Sequence, residues 1–236
     1  MKIHCSLRPY KLVHAQLLAC SGLTAALFCL PAAAAPGPPV RPAEAKPAGL
    51  ETRQVTTWIR ATRNNEGRAF AIIDKRAAQL QVFDGAGTLR GSSPVLLGLA
   101  VGDDSVPGIG ERKMADIKPA ERTTPAGRFV TEPGFNLQRE DIVWIDYESA
   151  ISMHRVRTGN KADRRLDRLA TPSPADNRIS YGCVNVPAAF YDALIKPFFG
   201  ATKAVVYVLP ETRSASAVFG MGASLSSAGP IPTRKP

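Results

Sequence analysis

Cys183 and His154 are the residues from which chemistry can be built. The chain holds 4 cysteines and 3 histidines. Cys5, Cys20, Cys29, His4 and His14 all lie within residues 1–34, which read as a leader removed on export. Past that leader Cys183 is the one thiol and His154 the one imidazole. A free thiol has a pKa of about 8.5, so near neutrality only a small fraction is the nucleophilic thiolate. A histidine placed beside it can take the proton. The plainer alternative is a buried, inert cysteine and an unrelated histidine. A single thiol excludes an internal disulfide. One Cys and one His are too few ligands for a usual zinc site, so no metal and no cofactor are expected.

The local sequence around the thiol is Arg178-Ile179-Ser180-Tyr181-Gly182-Cys183-Val184-Asn185-Val186-Pro187. A cysteine after glycine, at the end of an extended run, can sit in a tight turn. Gly182 removes side-chain bulk beside the thiol. The N–H groups of such a turn can converge where the oxygen of a tetrahedral intermediate becomes negative.

The elements that must position this pair are mostly short strands. Val55, Trp58, Ile59 and Thr62 recur at helical spacing and predict an amphipathic helix over Glu51 to Arg63. Strands are predicted at Ala69 to Asp74 and at Gln79 to Phe83. The latter runs into Asp84-Gly85-Ala86-Gly87, a hairpin signal. Further strands are expected over Pro94 to Val101, Arg128 to Thr131, Ile142 to Tyr147, Ala150 to Val156 and Ala204 to Leu209. Pro187 opens a predicted helix whose Phe190, Leu194 and Phe198 would face the core. Many strands and few helices predict a mainly β fold, a sandwich or partly open barrel.

The ends read differently. Lys2, Arg8 and Lys11 precede an apolar run, Leu17 to Leu30, that is too short to span a bilayer, and Ala32-Ala33-Ala34 suits cleavage before Ala35. Leu17-Leu18-Ala19-Cys20 offers a lipoprotein box as a second option, and a retained anchor is a third. The division expected is a signal at 1–34, a Pro/Ala-rich linker at 35–50, one domain at 51–211 with its core at 69–209, and a disordered tail at 212–236. That division implies an exported protein of the periplasm or cell envelope, with no stable membrane span once the signal is cleaved. The formal charge is +10. An exported basic protein suits an anionic envelope polymer. Nucleic acid is excluded as a partner by location and by the lack of any recognition signature.

The cysteine segment resembles the YkuD-type L,D-transpeptidase catalytic domain. That family's signature is a histidine, a spacer, then Ser/Thr-His-Gly-Cys-hydrophobic-Asn/Arg. Here His154 is followed by Ser180-Tyr181-Gly182-Cys183-Val184-Asn185, and Thr124-Pro125-Ala126-Gly127-Arg128-Phe129 resembles the family's Thr-Pro-x-Gly-x-Phe segment. The resemblance covers roughly Ala69 to Leu209. It implies a β-sandwich or partly open barrel of mixed sheets with one or two peripheral helices. It also implies that Cys183 attacks the bond between an L-centre and a D-centre in a peptidoglycan stem peptide, with His154 as base. The Arg155 carbonyl would orient the imidazole. The N–H groups of Tyr181, Gly182 and Cys183 would form the oxyanion hole, with Ser180 and Asn185 shaping the turn and pocket. An amine of another stem, or of a wall-anchored lipoprotein, would resolve the acyl-enzyme. Water as acceptor would make the chain an L,D-carboxypeptidase or endopeptidase instead, and a non-catalytic wall-binding protein is the remaining alternative. Carbapenems acylate this family.

Two departures stand out. Tyr181 replaces the motif's second histidine. Its phenol, with a pKa near 10, is a poor base at neutral pH, so it is expected to act as a pocket wall. His154 and Ser180 stand 26 positions apart, a long spacer rich in Arg155, Arg157, Lys161, Arg164, Arg165 and Arg168. Within it Ala162, Leu166 and Leu169 suggest a short amphipathic turn. The spacer reads as a solvated excursion or, more sharply, a flap holding substrate carboxylates. The long irregular stretch from Gly102 to Thr123 would be a second flap.

Overall fold

A computed structural model describes residues 49–222. The expected signal and nearly all of the linker lie outside the described residues.

Two mixed sheets carry the fold. Strands β1 (Phe70–Asp74), β2 (Gln79–Phe83), β3 (Leu89–Pro94), β5 (Gly127–Val130) and β11 (Val205–Val208) form one sheet in the order β3-β2-β1-β11-β5. Strands β6 (Glu132–Phe135), β7 (Asp141–Asp146), β8 (Ile151–Arg155) and β10 (Val184–Val186) form the other in the order β10-β8-β7-β6. A short parallel pair, β4 (Leu97–Gly98) with β9 (Arg178–Ser180), stands beside them. It is joined to β10 by reciprocal Leu96–Asn185 backbone bonds of 3.0 and 2.9 Å. The result is a sandwich with one edge bridged and no closed barrel, as the strand-rich sequence led one to expect.

The central strands explain themselves. β1 and β11 pair in parallel and are apolar over Phe70 to Ile73 and Val205 to Val208, where both of their faces are buried. Ala71, Ile73, Val206 and Val208 point into the core shared with Val143, Met153, Val184 and Val186 of the second sheet. Phe70, Ile72, Val205 and Tyr207 point the other way, onto Val55, Trp58 and Ile59 of helix α1 (Leu50–Thr62). The turn after β2 forms where Asp84 Oδ1 accepts the N–H groups of Ala86 and Thr88.

Several expectations need correction. The extended run predicted from Pro94 to Val101 ends as β3 at Pro94 and resumes only as β4; Val101 is exposed. A Cβ at Gly98 would lie 2.4 Å from Arg122 O, so the chain here is fixed by close backbone approach rather than by a continuous ladder. The helix after Pro187 is α3 (Ala188–Phe190), a π turn (Tyr191–Ile195) and α4 (Lys196–Phe199). Pro197 has no N–H to donate, and the wide turn falls just ahead of it. Its fully buried stripe is Tyr191, Ile195 and Phe199, one residue on from the predicted Phe190, Leu194 and Phe198, which pack at the margin. Both stripes recur every fourth residue, so spacing could not choose between them. Of the tail expected to be disordered over 212–236, the first part holds α5 (Ala215–Phe219), where Phe219 stacks on Trp58 with ring centroids 6.3 Å apart, and residues 223–236 lie outside the described residues. Among the described residues no helix is long and apolar enough to cross a membrane.

Candidate active site

Parallel pairing of β8 with β10 sets Met153 opposite Val184 and His154 opposite Asn185. Side chains alternate along a strand. Met153 and Val184 therefore turn into the core, where both are fully buried. Ser152, His154, Cys183 and Asn185 share the outer face. The thiol and the imidazole thus lie on the same side of adjacent strands.

The turn ahead of β10 is built by the motif's small residues. Gly182 has φ +126°, and a Cβ there would lie 2.7 Å from Thr123 O and 2.5 Å from Ile151 Cδ1. Only glycine fits, on both conformational and steric grounds. Buried Ser180 donates its hydroxyl to Cys183 O at 2.7 Å and accepts the Gly182 N–H at 3.1 Å. Buried Asn185 donates to Cys183 O at 3.2 Å. Thr124 Oγ1 donates to Gly182 O at 2.7 Å and accepts the Gly98 N–H at 2.9 Å. Ser180 and Asn185 thus hold the turn. The Gly182 N–H is already taken, which reduces the expected three oxyanion donors to two. The Tyr181 and Cys183 N–H groups have no partner among the turn and side-chain bonds of the described residues.

His154 Nδ1 stands 2.7 Å from Arg155 O. A carbonyl oxygen can only accept, so Nδ1 carries a hydrogen, and in the neutral form of the ring the lone pair is on Nε2. Cys183 is half-buried. Its Sγ lies 3.6 Å from Ser152 Oγ and 3.6 Å from Ala150 O. Burial pushes the thiol pKa up. The hydrogen bond and charge of His154, then the Ser152 backbone and hydroxyl, outweigh it and hold the thiol below its ordinary value.

The Arg155 side chain does not reach this face. It lies across the ring of Tyr191, 4.3 Å from its centroid, and pairs with Asp141 at 3.0 Å and Asp192 at 2.5 Å. Only its carbonyl serves the site. Tyr181 is half-buried, with the Arg122 guanidinium 3.9 Å from its ring centroid. One face of the ring is therefore taken, and a substrate would meet the other.

Both long segments reach the thiol. A cleft of ≈350 Å³ is lined by His154, Ser180, Tyr181, Cys183 and Asn185. Met114 joins them from the first segment and Arg157, Asn160 and Arg165 from the second. The second segment folds into α2 (Arg165–Ala170), which buries none of its residues. It is solvated outside, as the charge run suggested, yet its underside walls the cleft. Ser152, Thr124 and Arg122 are the site residues that sequence reasoning assigned no role. Ser152 was discoverable as the residue two before His154 on a strand; the other two depend on tertiary contact.

No family model matches the chain, and no curated protein matches it in sequence. Among solved structures it is similar to the helical cell shape determining protein Pgp2 from Campylobacter jejuni, at 16% identity and TM-score 0.42, over 62% of this chain and 49% of that one. It is also similar to L,D-transpeptidases from Xylanimonas cellulosilytica (14% identity, 60% of each chain, TM-score 0.37) and Mycobacterium smegmatis (14%, 60% of this chain and 58% of that, TM-score 0.34). The chain thus spans about half to three-fifths of the length of these structures. Likenesses of this size carry no argument about activity, which rests on the site itself.

Proposed function

We propose that this chain is a cysteine-dependent L,D-transpeptidase acting on peptidoglycan stem peptides. One observation supports the reading. Cys183 and His154 line one cleft beside the β8–β10 pair, and His154 Nδ1 is bonded to Arg155 O, which turns the other ring nitrogen to the role of base in this proposal.

The chemistry follows from that arrangement. His154 Nε2 takes the Cys183 proton, and the thiolate adds to the carbonyl carbon of the bond between an L- and a D-centre. The oxyanion is received by the N–H groups of Tyr181 and Cys183. Collapse breaks the C–N bond, and the imidazolium returns its proton to the departing amine. A thioester remains on Cys183. An acceptor amine then attacks it, passes a proton to His154 and releases the thiolate. The acceptor is a second stem peptide or an amine on a wall-anchored lipoprotein, which places the enzyme in the cell envelope.

The test is incubation with a disaccharide-tetrapeptide donor and an amine acceptor, with products resolved by mass. Release of the terminal D-amino acid with a new amide bond supports the reading. Release with water as the only acceptor would make the chain a hydrolase. No release from wild type, with the protein folded, would overturn it.

A further inference from the structure

Arg165 is an unusual visitor to the cleft. It comes from the segment between His154 and Ser180, not from the sheets. Its Nη1 donates to Asn185 Oδ1 at 2.7 Å, and its Nε donates to Asp163 Oδ2 at 2.9 Å. Asn185 is 1% exposed and stands opposite His154 in the β8–β10 register. A buried amide beside the base is thus spent on holding a guanidinium.

The grip is one-sided. Nε and one hydrogen of Nη1 are used, and among the described residues Nη2 carries no acceptor. The side chain is 19% exposed, so its open edge is partly shielded from water. Arg157 also lines the cleft but is paired with Glu140 at 2.7 Å, and Asp163 is the one carboxylate in the lining. A guanidinium with a free edge presents parallel N–H donors that match a carboxylate.

We propose that Arg165 forms a carboxylate subsite that selects the donor peptide. The proposal rests on the reading of Cys183 as an acyl-transfer nucleophile. The Asn185 amide that accepts from Arg165 also donates to Cys183 O at 3.2 Å, and Arg165 and Cys183 line the same cleft. The cation therefore stands close to where the attacked carbonyl would sit. The carboxylate it takes belongs to the residue that gives the carbonyl or to the one that leaves.

The experiment separates this subsite from the acyl-transfer reading by using the thiol alone. Cys183 is alkylated with iodoacetate, an anion, and with iodoacetamide, its neutral isostere, and the ratio of the two rates is taken. Arg165→Gln should lower that ratio several-fold with the iodoacetamide rate little changed, and Arg165→Lys should restore part of it. Asp163→Asn should raise the ratio, which gives a second variant of opposite sign. On a peptide donor, Arg165→Gln should raise KM with a loss in kcat/KM of about 10- to 100-fold. A donor amidated at that carboxylate should be indifferent to the substitution. An unchanged rate ratio in both Arg165→Gln and Asp163→Asn would overturn the subsite and leave transpeptidation standing. A shifted ratio in an enzyme that transfers no acyl group would keep the subsite and discard that reading.

Discussion

The reactivity of Cys183 is set by how much of it is thiolate. The contacts with His154 and Ser152 hold its pKa down against burial. Sign and window follow. The thiolate fraction, and with it the iodoacetamide rate, should rise with pH through an inflection below that of a free cysteine at about 8.5. His154→Ala removes the two largest lowering contributions and leaves burial, so the inflection should move up. An unmoved inflection would deny His154 the role of base. Acyl transfer in that variant should fall by about 10²–10⁴-fold. Tyr181 belongs to the same scale. Its ring holds Arg122, and that contact does not need the hydroxyl. Tyr181→Phe should keep the contact and retain activity, while Tyr181→His should change donor preference. A wild type that is inactive until Tyr181→His is introduced would contradict this.

At the scale of elements, the cysteine turn was largely readable and its supports were not. Ser180-Tyr181-Gly182-Cys183 announced a tight turn through glycine, and the strand carrying His154 was expected over Ala150 to Val156 and is β8 (Ile151–Arg155). Thr124 was visible only as part of a resemblance, because its two bonds run to Gly182 O and to the Gly98 N–H, each distant in sequence. Thr124→Val keeps the shape and deletes both bonds. Each polar group left unpaired costs about 1–3 kcal/mol, so the variant should melt earlier. It should also lose acyl transfer more than alkylation, because only acyl transfer needs the turn's N–H groups aimed at an oxyanion. Equal losses in the two reactions would show that Thr124 serves stability alone. The fold's class was readable for the same reason as the turn: uninterrupted apolar runs mark strands buried on both faces. The helix after Pro187 was not fully readable, since two adjacent stripes satisfied the same spacing.

At the scale of the molecule, a buried ionic cluster closes the fold behind the site. Lys75 is fully buried and donates to Asp103 at 2.9 Å, to Thr124 O at 3.0 Å and to Gly102 O. Glu211 lies 3.5 Å away and also pairs with Arg178. The cluster ties the end of β1, the irregular segment, β9 and the chain beyond β11 together. No sequence pattern announces it, because its members are scattered along the chain and charged residues are ordinarily exposed. Lys75→Met would remove the one fully buried cation of the cluster, leaving Glu211 with Arg178 alone and Asp103 with the more distant Arg213 at 3.7 Å. It should cost about 3–5 kcal/mol in denaturant unfolding; a loss under about 1 kcal/mol would contradict a structural role. Burial acts to raise the Asp103 pKa, but the Thr212 hydroxyl, the Glu211 N–H and Lys75 outweigh it and hold the carboxyl well below its usual range. Its contribution is therefore complete above about pH 4 and is lost progressively as the pH falls further. Asp103→Asn should flatten that acid-side loss.

The central claim is that Cys183 is a live nucleophile that forms a thioester. Intact-protein mass spectrometry after exposure to a carbapenem tests it most directly. The account predicts one adduct of the drug's mass, mapped to Cys183, formed slowly in His154→Ala and absent in Cys183→Ala. A folded wild type that gains no mass, or an adduct that persists in Cys183→Ala, would contradict it.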